Sequence, residues 1–333
     1  MRAATISGKK KVVIREVPKP IPDKDEVLIK VRYCGICGSD IHRYRWGAAL
    51  GIGHEFSGDI VEIGRDVKGL QVGDRVAVEP HRYCGECFWC RRGEEIGLCE
   101  EFYAGVKQYE GAFRTYVKAK YYQVYKIPDE LSYQHAAMIE PTTVALHAIR
   151  VSEMQEGDVV AVLGLGPIGQ LVARVAKALG AKAVYATELS QSRIELAGHV
   201  VDEVIDVNVA NPVDRILALT HGRGPDIVFE CAGSVLAAQQ SIALARKGGT
   251  IVAVSICFDW VDIPFSNIVL KGLTIKGFVC WSAGDYASAL NLIKDRKIDV
   301  APLLTCEMPL RDIDKAFKKA MRGEGGTILI KPA

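Results

Sequence analysis

No stretch of this 333-residue chain stays apolar for long enough to span a bilayer. A surplus of charge is missing as well, since 42 Lys and Arg stand against 40 Asp and Glu, a net of +2. That balance supplies no pull toward nucleic acid or an anionic membrane, so neither is expected as a partner. The opening residues, Met1 to Lys11, carry charge with no apolar block behind them, and no secretory leader is expected. Internal repeats and low-complexity linkers are absent, which argues against a solenoid or a tethered array. The length exceeds one typical core and the hydrophobic fraction is 49%, so two globular domains are expected. The densest basic run, Lys9-Lys10-Lys11, reads as the solvated tip of a hairpin.

Cysteine, by contrast, is plentiful. Of ten cysteines, six lie between Cys34 and Cys99, while Cys231, Cys257, Cys280 and Cys306 are scattered singly. Thiols clustered at short spacing in a chain without a leader point to metal ligation in a reducing cytoplasm rather than to disulfides. Cys84, Cys87, Cys90 and Cys99 can close around zinc with no open position, the structural kind of site. The stretch from Cys34 to Glu55 is different. It reads C-G-I-C-G-S-D-I-H, then a short loop, then G-H-E, and mixes sulfur, imidazole and carboxylate. Zinc accepts all three donor types, so Cys37, His54 and either Glu55 or a more distant carboxylate are candidate ligands. Asp40 is placed to accept a hydrogen bond from a ligand histidine. Glu140 stands in apolar company beside Met138 and Ile139, where a carboxylate is costly unless a cation balances it.

The chain changes character near Gly157. Before it, short β-branched runs such as Val27–Val31, Phe56–Ile63 and Arg75–Val78 are punctuated by Pro and Gly, the pattern of a barrel-like or sandwich domain. Tyr133 to Arg150 reads as helix broken near Pro141. After Gly157, strands alternate with helical stretches, the pattern of a parallel sheet covered on both faces. Val159–Leu163 runs into Gly164-Leu165-Gly166-Pro167-Ile168-Gly169, a glycine turn between strand and helix that suits a pyrophosphate. A second strand ends at Glu188, about twenty residues on, where a carboxylate accepts ribose hydroxyls and repels a 2′-phosphate. This favours NAD over NADP, with Arg193 close by as a counterweight. The turns Cys231-Ala232-Gly233 and Ser255-Ile256 follow later strands and are further cofactor-facing candidates. Asp262–Phe265 and Leu273–Gly277 are expected as strands, and Tyr286–Lys294 and Ile313–Met321 as helices.

These motifs, in this order, resemble the zinc-dependent medium-chain dehydrogenase/reductase superfamily over nearly the whole chain. The likeness is carried by C-G-I-C-G-S-D-I-H, G-H-E-F-S-G, V-G-D-R-V, the four-cysteine lobe, I-E-P-T-T-V-A-L-H and V-L-G-L-G-P-I-G. It implies an α/β two-domain fold: a β-rich GroES-like catalytic domain from residues 1–147 and 285–333, and a Rossmann doubly wound parallel sheet over 148–284. It implies that Cys37 and His54 ligate catalytic zinc, with Glu55 an exchangeable ligand and Glu140 the third ligand or its water-linked neighbour. Ser39 and His42 match proton-relay positions, and Asp40 a supporting acid. Cys84, Cys87, Cys90 and Cys99 match the structural zinc lobe. Eight residues separate Cys90 from Cys99, one more than is usual in the family, which leaves the lobe's closure open. The loop from Arg43 to Gly53 is shorter than usual, which would widen a substrate mouth.

The chemistry so implied is hydride transfer between a secondary alcohol and NAD, with zinc lowering the hydroxyl pKa and Ser39 passing the proton toward His42. The cysteine–histidine–carboxylate set with E-P-T-T-V-A-L-H resembles the polyol branch, which acts on sorbitol, butanediol or sugar alcohols. H-R-Y-R-W is similar to L-threonine 3-dehydrogenase, the alternative. Trp46, Phe88 and Trp281 are candidate pocket aromatics. A zinc-free quinone or enone reductase, and a non-enzymatic zinc module, are disfavoured by the full ligand set and the dinucleotide turn. The resemblance implies a homodimer or homotetramer.

Overall fold

A computed structural model describes residues 1–48, 51–102 and 110–332. The tip of the Arg43–Gly53 loop, residues 49 and 50, lies outside them. The chain divides into two compact units. One comprises Met1–Glu140, Ser282–Arg296 and Val300–Ala333, and the other Pro141–Trp281 with Lys297–Asp299.

The first unit is built on a seven-stranded sheet. Its strands run in spatial order Leu304–Pro309, Thr327–Lys331, Glu26–Gly35, Glu55–Ile63, Arg75–Val78 and Val124–Lys126, with Tyr116–Lys120 also paired to Glu26–Gly35. The Glu26–Gly35 strand is the axis of this unit because Val27, Ile29 and Val31 are fully buried on one face among Phe56, Ile60, Val76 and Phe317. β-Branched residues suit that doubly flanked position. Arg2–Gly8 and Lys11–Glu16 form a separate hairpin whose turn carries Lys9 and Lys10 in solvent, as the basic run suggested. The last helix, Ile313–Ala320, lays Ile313, Ala316 and Phe317 onto the same core.

The second unit is a six-stranded parallel sheet. Its order is Glu203–Asp206, Ala183–Glu188, Val159–Leu163, Ile227–Glu230, Thr250–Ala253 and Thr274–Gly277, so by chain order the strands run 3-2-1-4-5-6. That is the doubly wound dinucleotide-binding topology, whose crevice opens where the order reverses, between the first and fourth strands. Val159–Leu163 is buried along its length and supplies the centre.

Three local expectations need correction. Asp262–Phe265 is not a strand: Pro264 caps a helix over Phe265–Lys271, and its fixed backbone angle suits a helix start better than a ladder. The helix expected to break at Pro141 breaks earlier, at Met138, and Pro141 sits in the first turn of Ile139–Ser152, where its missing N–H costs nothing. The loop expected from Arg43 to Gly53 begins as helix, because Gly38–Trp46 runs through its first residues.

Candidate active site and metal centres

The Glu26–Gly35 strand delivers the chain to Ile36 and Cys37, and Cys37 serves as N-cap of the Gly38–Trp46 helix. Asp40, in the first turn, reaches back so that Oδ2 accepts from the Cys37 N–H at 3.3 Å. Its Oδ1 accepts from the Gly53 N–H at 3.0 Å and lies 3.8 Å from His54 Nδ1. One buried carboxylate thus ties the thiol, the loop before His54 and the imidazole together. His54 directly precedes the strand Glu55–Ile63, whose register sets Glu55 opposite Gly35. A Cβ at Gly35 would stand 2.2 Å from Glu55 Oε2, so the Glu55 carboxylate lies over a position that only glycine leaves open.

Cys37, His54 and Glu55 offer donor atoms that all lie within 4.8 Å of one another. Glu140 is buried nearby and interacts electrostatically with His54 and Glu55, but does not join that tight set. Burial pushes the Glu55 and Glu140 carboxyls up against the pull of His54, with Asp40 adding to both and Glu55 to Glu140. Burial of the sulfur, then Glu55, Glu140 and Asp40, drive the Cys37 thiol well up too, against an N–H donated by Ser39. Burial opposes the His54 imidazolium, yet Asp40, Glu140 and Glu55 outweigh it and raise that group. A buried pocket with this much negative charge is short of a cation, and a sulfur–nitrogen–oxygen set suits zinc. The donor set therefore fits the metal that the sequence implied.

The second cluster is all sulfur. Cys84 and Cys90 have Sγ atoms 3.9 Å apart, Cys87 and Cys90 3.5 Å, and Cys84 and Cys99 3.6 Å. A tetrahedral zinc with bonds of about 2.3 Å requires sulfur separations of about 3.8 Å. The extra residue before Cys99 is absorbed by the short 3-10 turn Ile96–Leu98, and Cys99 closes the group. N–H donors from Cys90 and Glu100 pull the Cys87 thiol down to about 6, in favour of thiolate.

In the second unit the glycine turn joins Val159–Leu163 to the helix Pro167–Ala178. Gly164 holds φ +93°, and a Cβ there would stand 2.9 Å from the Cα of Ala232. A Cβ at Gly169 would stand 1.9 Å from the Gly164 carbonyl oxygen, so helix and strand meet only because no side chain intervenes. Leu165, Pro167 and Ile168 complete that turn and helix start. Glu188 ends the adjacent strand. Its Oε2 accepts from the Leu165 N–H at 2.8 Å, and its Oε1 from Leu189 and Ser190 at 2.8 and 3.0 Å. Arg193 Nη1 lies 4.0 Å from Glu188 and beside Gly166. Cys231, Ala232 and Gly233 follow Ile227–Glu230 at the same sheet end, and Ser255 donates its N–H to the Glu230 carbonyl; Ile256 is exposed beyond it.

The other candidates separate. His42 lies half-buried on the new helix, its ring 5.4 Å from that of Trp46, and burial with Arg45 lowers its pKa. Ser39 is in the first turn of the same helix. Trp46 and Phe88 are largely exposed, and Trp281 is buried core. Cys34 is fully buried, apart from the donor set. Two neighbours of the site escaped the sequence reading. Arg43 lies 4.0 Å from Asp40 and donates to the Gly51 carbonyl. His81 sits 6.5 Å from His54 and 5.2 Å from Phe102, ring to ring, and burial, then His54 and Arg43, lower it to about 3. No local motif marks either one.

Residues 23–129 match the alcohol dehydrogenase GroES-like domain and residues 167–295 the zinc-binding dehydrogenase domain. A sorbitol dehydrogenase of Halalkalibacterium halodurans is 37% identical, over 96% of this chain and 95% of that protein. The chain belongs to the zinc-dependent medium-chain dehydrogenase/reductase superfamily. It is an oxidoreductase with a GroES-like unit and a Rossmann unit. Among other members, the (R,R)-butanediol dehydrogenase of Bacillus subtilis is 34% identical over the full length of both chains. L-threonine 3-dehydrogenase of Bacillus subtilis is 34% identical over 96% of this chain and 95% of that one. Among solved structures, a zinc-binding dehydrogenase of Sinorhizobium meliloti bound to NADP superposes with a TM-score of 0.92 at 28% identity, covering 99% of both chains. An Escherichia coli alcohol dehydrogenase complexed with NADH gives a TM-score of 0.91 at 28% identity, with the same coverage.

Proposed function

We propose that this dehydrogenase oxidises a secondary alcohol that carries a second polar group, a polyol, diol or sugar alcohol, with NAD as acceptor. The observation that carries the reading is the donor set of Cys37, His54 and Glu55 gathered within 4.8 Å. Cys37 and His54, with Glu55 or Glu140, would hold catalytic zinc, and Cys84, Cys87, Cys90 and Cys99 structural zinc. Zinc so held supplies Lewis acidity to a substrate hydroxyl, and nicotinamide supplies the hydride acceptor. The chain's own residues do the rest. Asp40 orients His54 and the Cys37 backbone, Gly35 leaves room for Glu55, and Ser39 takes the hydroxyl proton. His42, whose imidazole is neutral at pH 7 by the direction of its shift, receives that proton and releases it to solvent. Gly164 to Gly169, Cys231 to Gly233 and Ser255-Ile256 frame the cofactor, with Glu188 and Arg193 at its ribose.

Sorbitol and butanediol dehydrogenases among the relatives support the polyol reading, while the threonine dehydrogenase keeps amino-alcohol oxidation as the second one. A panel of diols, polyols, polyol phosphates and L-threonine, followed by nicotinamide absorbance with each cofactor, decides between them. Turnover of threonine alone would displace the polyol reading, and turnover of neither class would refute both.

We also propose a homodimer or homotetramer in the cytoplasm. Thr274–Gly277 is an edge strand with no proline, and Lys276 turns back to the Val151 carbonyl, so no residue of the strand itself guards its edge. Trp260, Phe265 and Leu270 are exposed on the segments just before it. Light scattering on the eluted protein checks this, and a monomer at micromolar concentration would refute it. All ten cysteines are free thiols, in keeping with a reducing compartment, and no described helix is long and apolar enough to cross a membrane.

A further inference from the structure

Glu230 stands at the point where the sheet order reverses, and neither the glycine turn nor the zinc chemistry accounts for it. It ends the strand Ile227–Glu230, level with Leu163 on one side and Ala253 on the other. Its side chain is buried, 4% exposed, and no lysine or arginine of the described residues pairs with it. The groups that meet its charge are backbone amides. Oε1 accepts from the Ala232 N–H at 2.9 Å and the Gly233 N–H at 2.8 Å, and the Ser234 N–H also favours the charged form. A buried carboxylate held this way is expensive, and it fixes whatever carries the donors.

What it fixes is the turn that packs against the dinucleotide fingerprint. The Cys231 N–H donates to the Leu163 carbonyl, and Ala232 presses on Gly164 so closely that a methyl there would be 2.9 Å from its Cα. On the other side, the Glu230 carbonyl accepts from the Val254 and Ser255 N–H groups, both at 3.0 Å. One residue therefore joins three strand ends, those after Leu163, Glu230 and Ala253, around the crevice. Glu188 does the same from the opposite flank through the Leu165 N–H. The fingerprint turn is held between two buried carboxylates.

We infer that Glu230 is a positioning residue for the dinucleotide crevice, setting cofactor affinity by holding the Cys231–Gly233 turn against Gly164. The inference rests on the reading that this crevice takes NAD. Because the Ala232 and Gly233 N–H bonds end on a single oxygen, a glutamine amide oxygen can accept those two, which separates their hydrogen bonding from charge. Full-length protein is titrated with NADH by fluorescence. Glu230→Ala removes the acceptor of two part-buried N–H donors and should raise the NADH Kd at least about tenfold, while Glu230→Gln stays within about threefold of the parent. In turnover, Glu230→Ala should raise the KM for NAD with kcat at saturation little changed, a split that general destabilisation does not produce. A parental Kd in a Glu230→Ala protein with two zincs per chain and a parental circular-dichroism spectrum overturns the inference. Equal weakening in Ala and Gln variants also overturns it. Should Glu230→Ala not fold, Gly233→Ala disturbs the same turn at its left-handed residue, φ +64°. That variant should weaken NADH in the same way, and unchanged binding by it overturns the inference. If the unsubstituted chain binds neither NADH nor NADPH, the functional reading fails and this inference with it. Binding by the parent with no change in the variants removes the inference alone.

Discussion

The two candidate metal clusters of this chain are built on opposite plans. Cys84, Cys87, Cys90 and Cys99 come from one short segment, bring four like donors and stand partly in solvent. Cys37, His54 and Glu55 come from a helix cap and the start of a strand, bring three unlike donors and are held largely out of solvent beside Asp40 and Glu140. The first plan would satisfy a tetrahedral ion completely and leave it nothing to do but hold a loop. The second would leave a coordination position for a substrate, and surrounds it with acids whose ionisation burial opposes. Spacing alone makes the closed site, whereas the open one needs tertiary structure.

That contrast can be tested by damaging each side in turn. Cys37→Ala or His54→Ala is expected to cut turnover by at least about a thousandfold, while NADH still binds and one zinc per chain remains. Retained turnover in a zinc-verified His54→Ala protein would sink the assignment. Cys99→Ser should remove the other zinc, lower the Tm by about 5–10 °C and spare a larger part of the activity. If Cys99→Ser keeps two zincs, the lobe is closed by something other than Cys99. Within the open site, Glu55→Gln is expected to weaken zinc about 10- to 100-fold and Glu140→Gln less, since only Glu55 belongs to the tight donor set. Competition with a chelator measures both, and the reverse ranking would make Glu140 the ligand. The smallest change comes from outside both clusters. Glu188→Ala should shift the ratio of kcat/KM for NAD to that for NADP by about tenfold toward NADP, with two zincs retained. An unchanged ratio would remove Glu188 from the ribose.

How far each part was legible follows from the same contrast. The thiol lobe was readable because its ligands are neighbours in sequence, and the dinucleotide turn because strand, glycines and helix are contiguous. Cys37 and His54 stood out by donor type, while the choice between Glu55 and Glu140 stayed open because Glu140 is distant in sequence. The Gly38–Trp46 helix carries no sequence signal because only Ile41 and Tyr44 mark its inner face, too few to show a period. Asp262–Phe265 alternated like a strand, but Pro264 served better as a cap. His81 meets His54 from a distant part of the chain, while Arg43 and Glu230 bond close in sequence, to Gly51 and Gly233, but in turns that carry no recognisable motif.

Gly35 shows what such a pairing imposes on the future of the chain. Its missing side chain is the space that Glu55 Oε2 occupies, with 2.2 Å to the nearest possible methyl. A library that randomises the neighbourhood of Cys37 in search of new substrates would therefore displace the Glu55 carboxylate in the members altered at position 35. The way around it is to change residue 55 in the same step, so the two codons have to be varied as one unit.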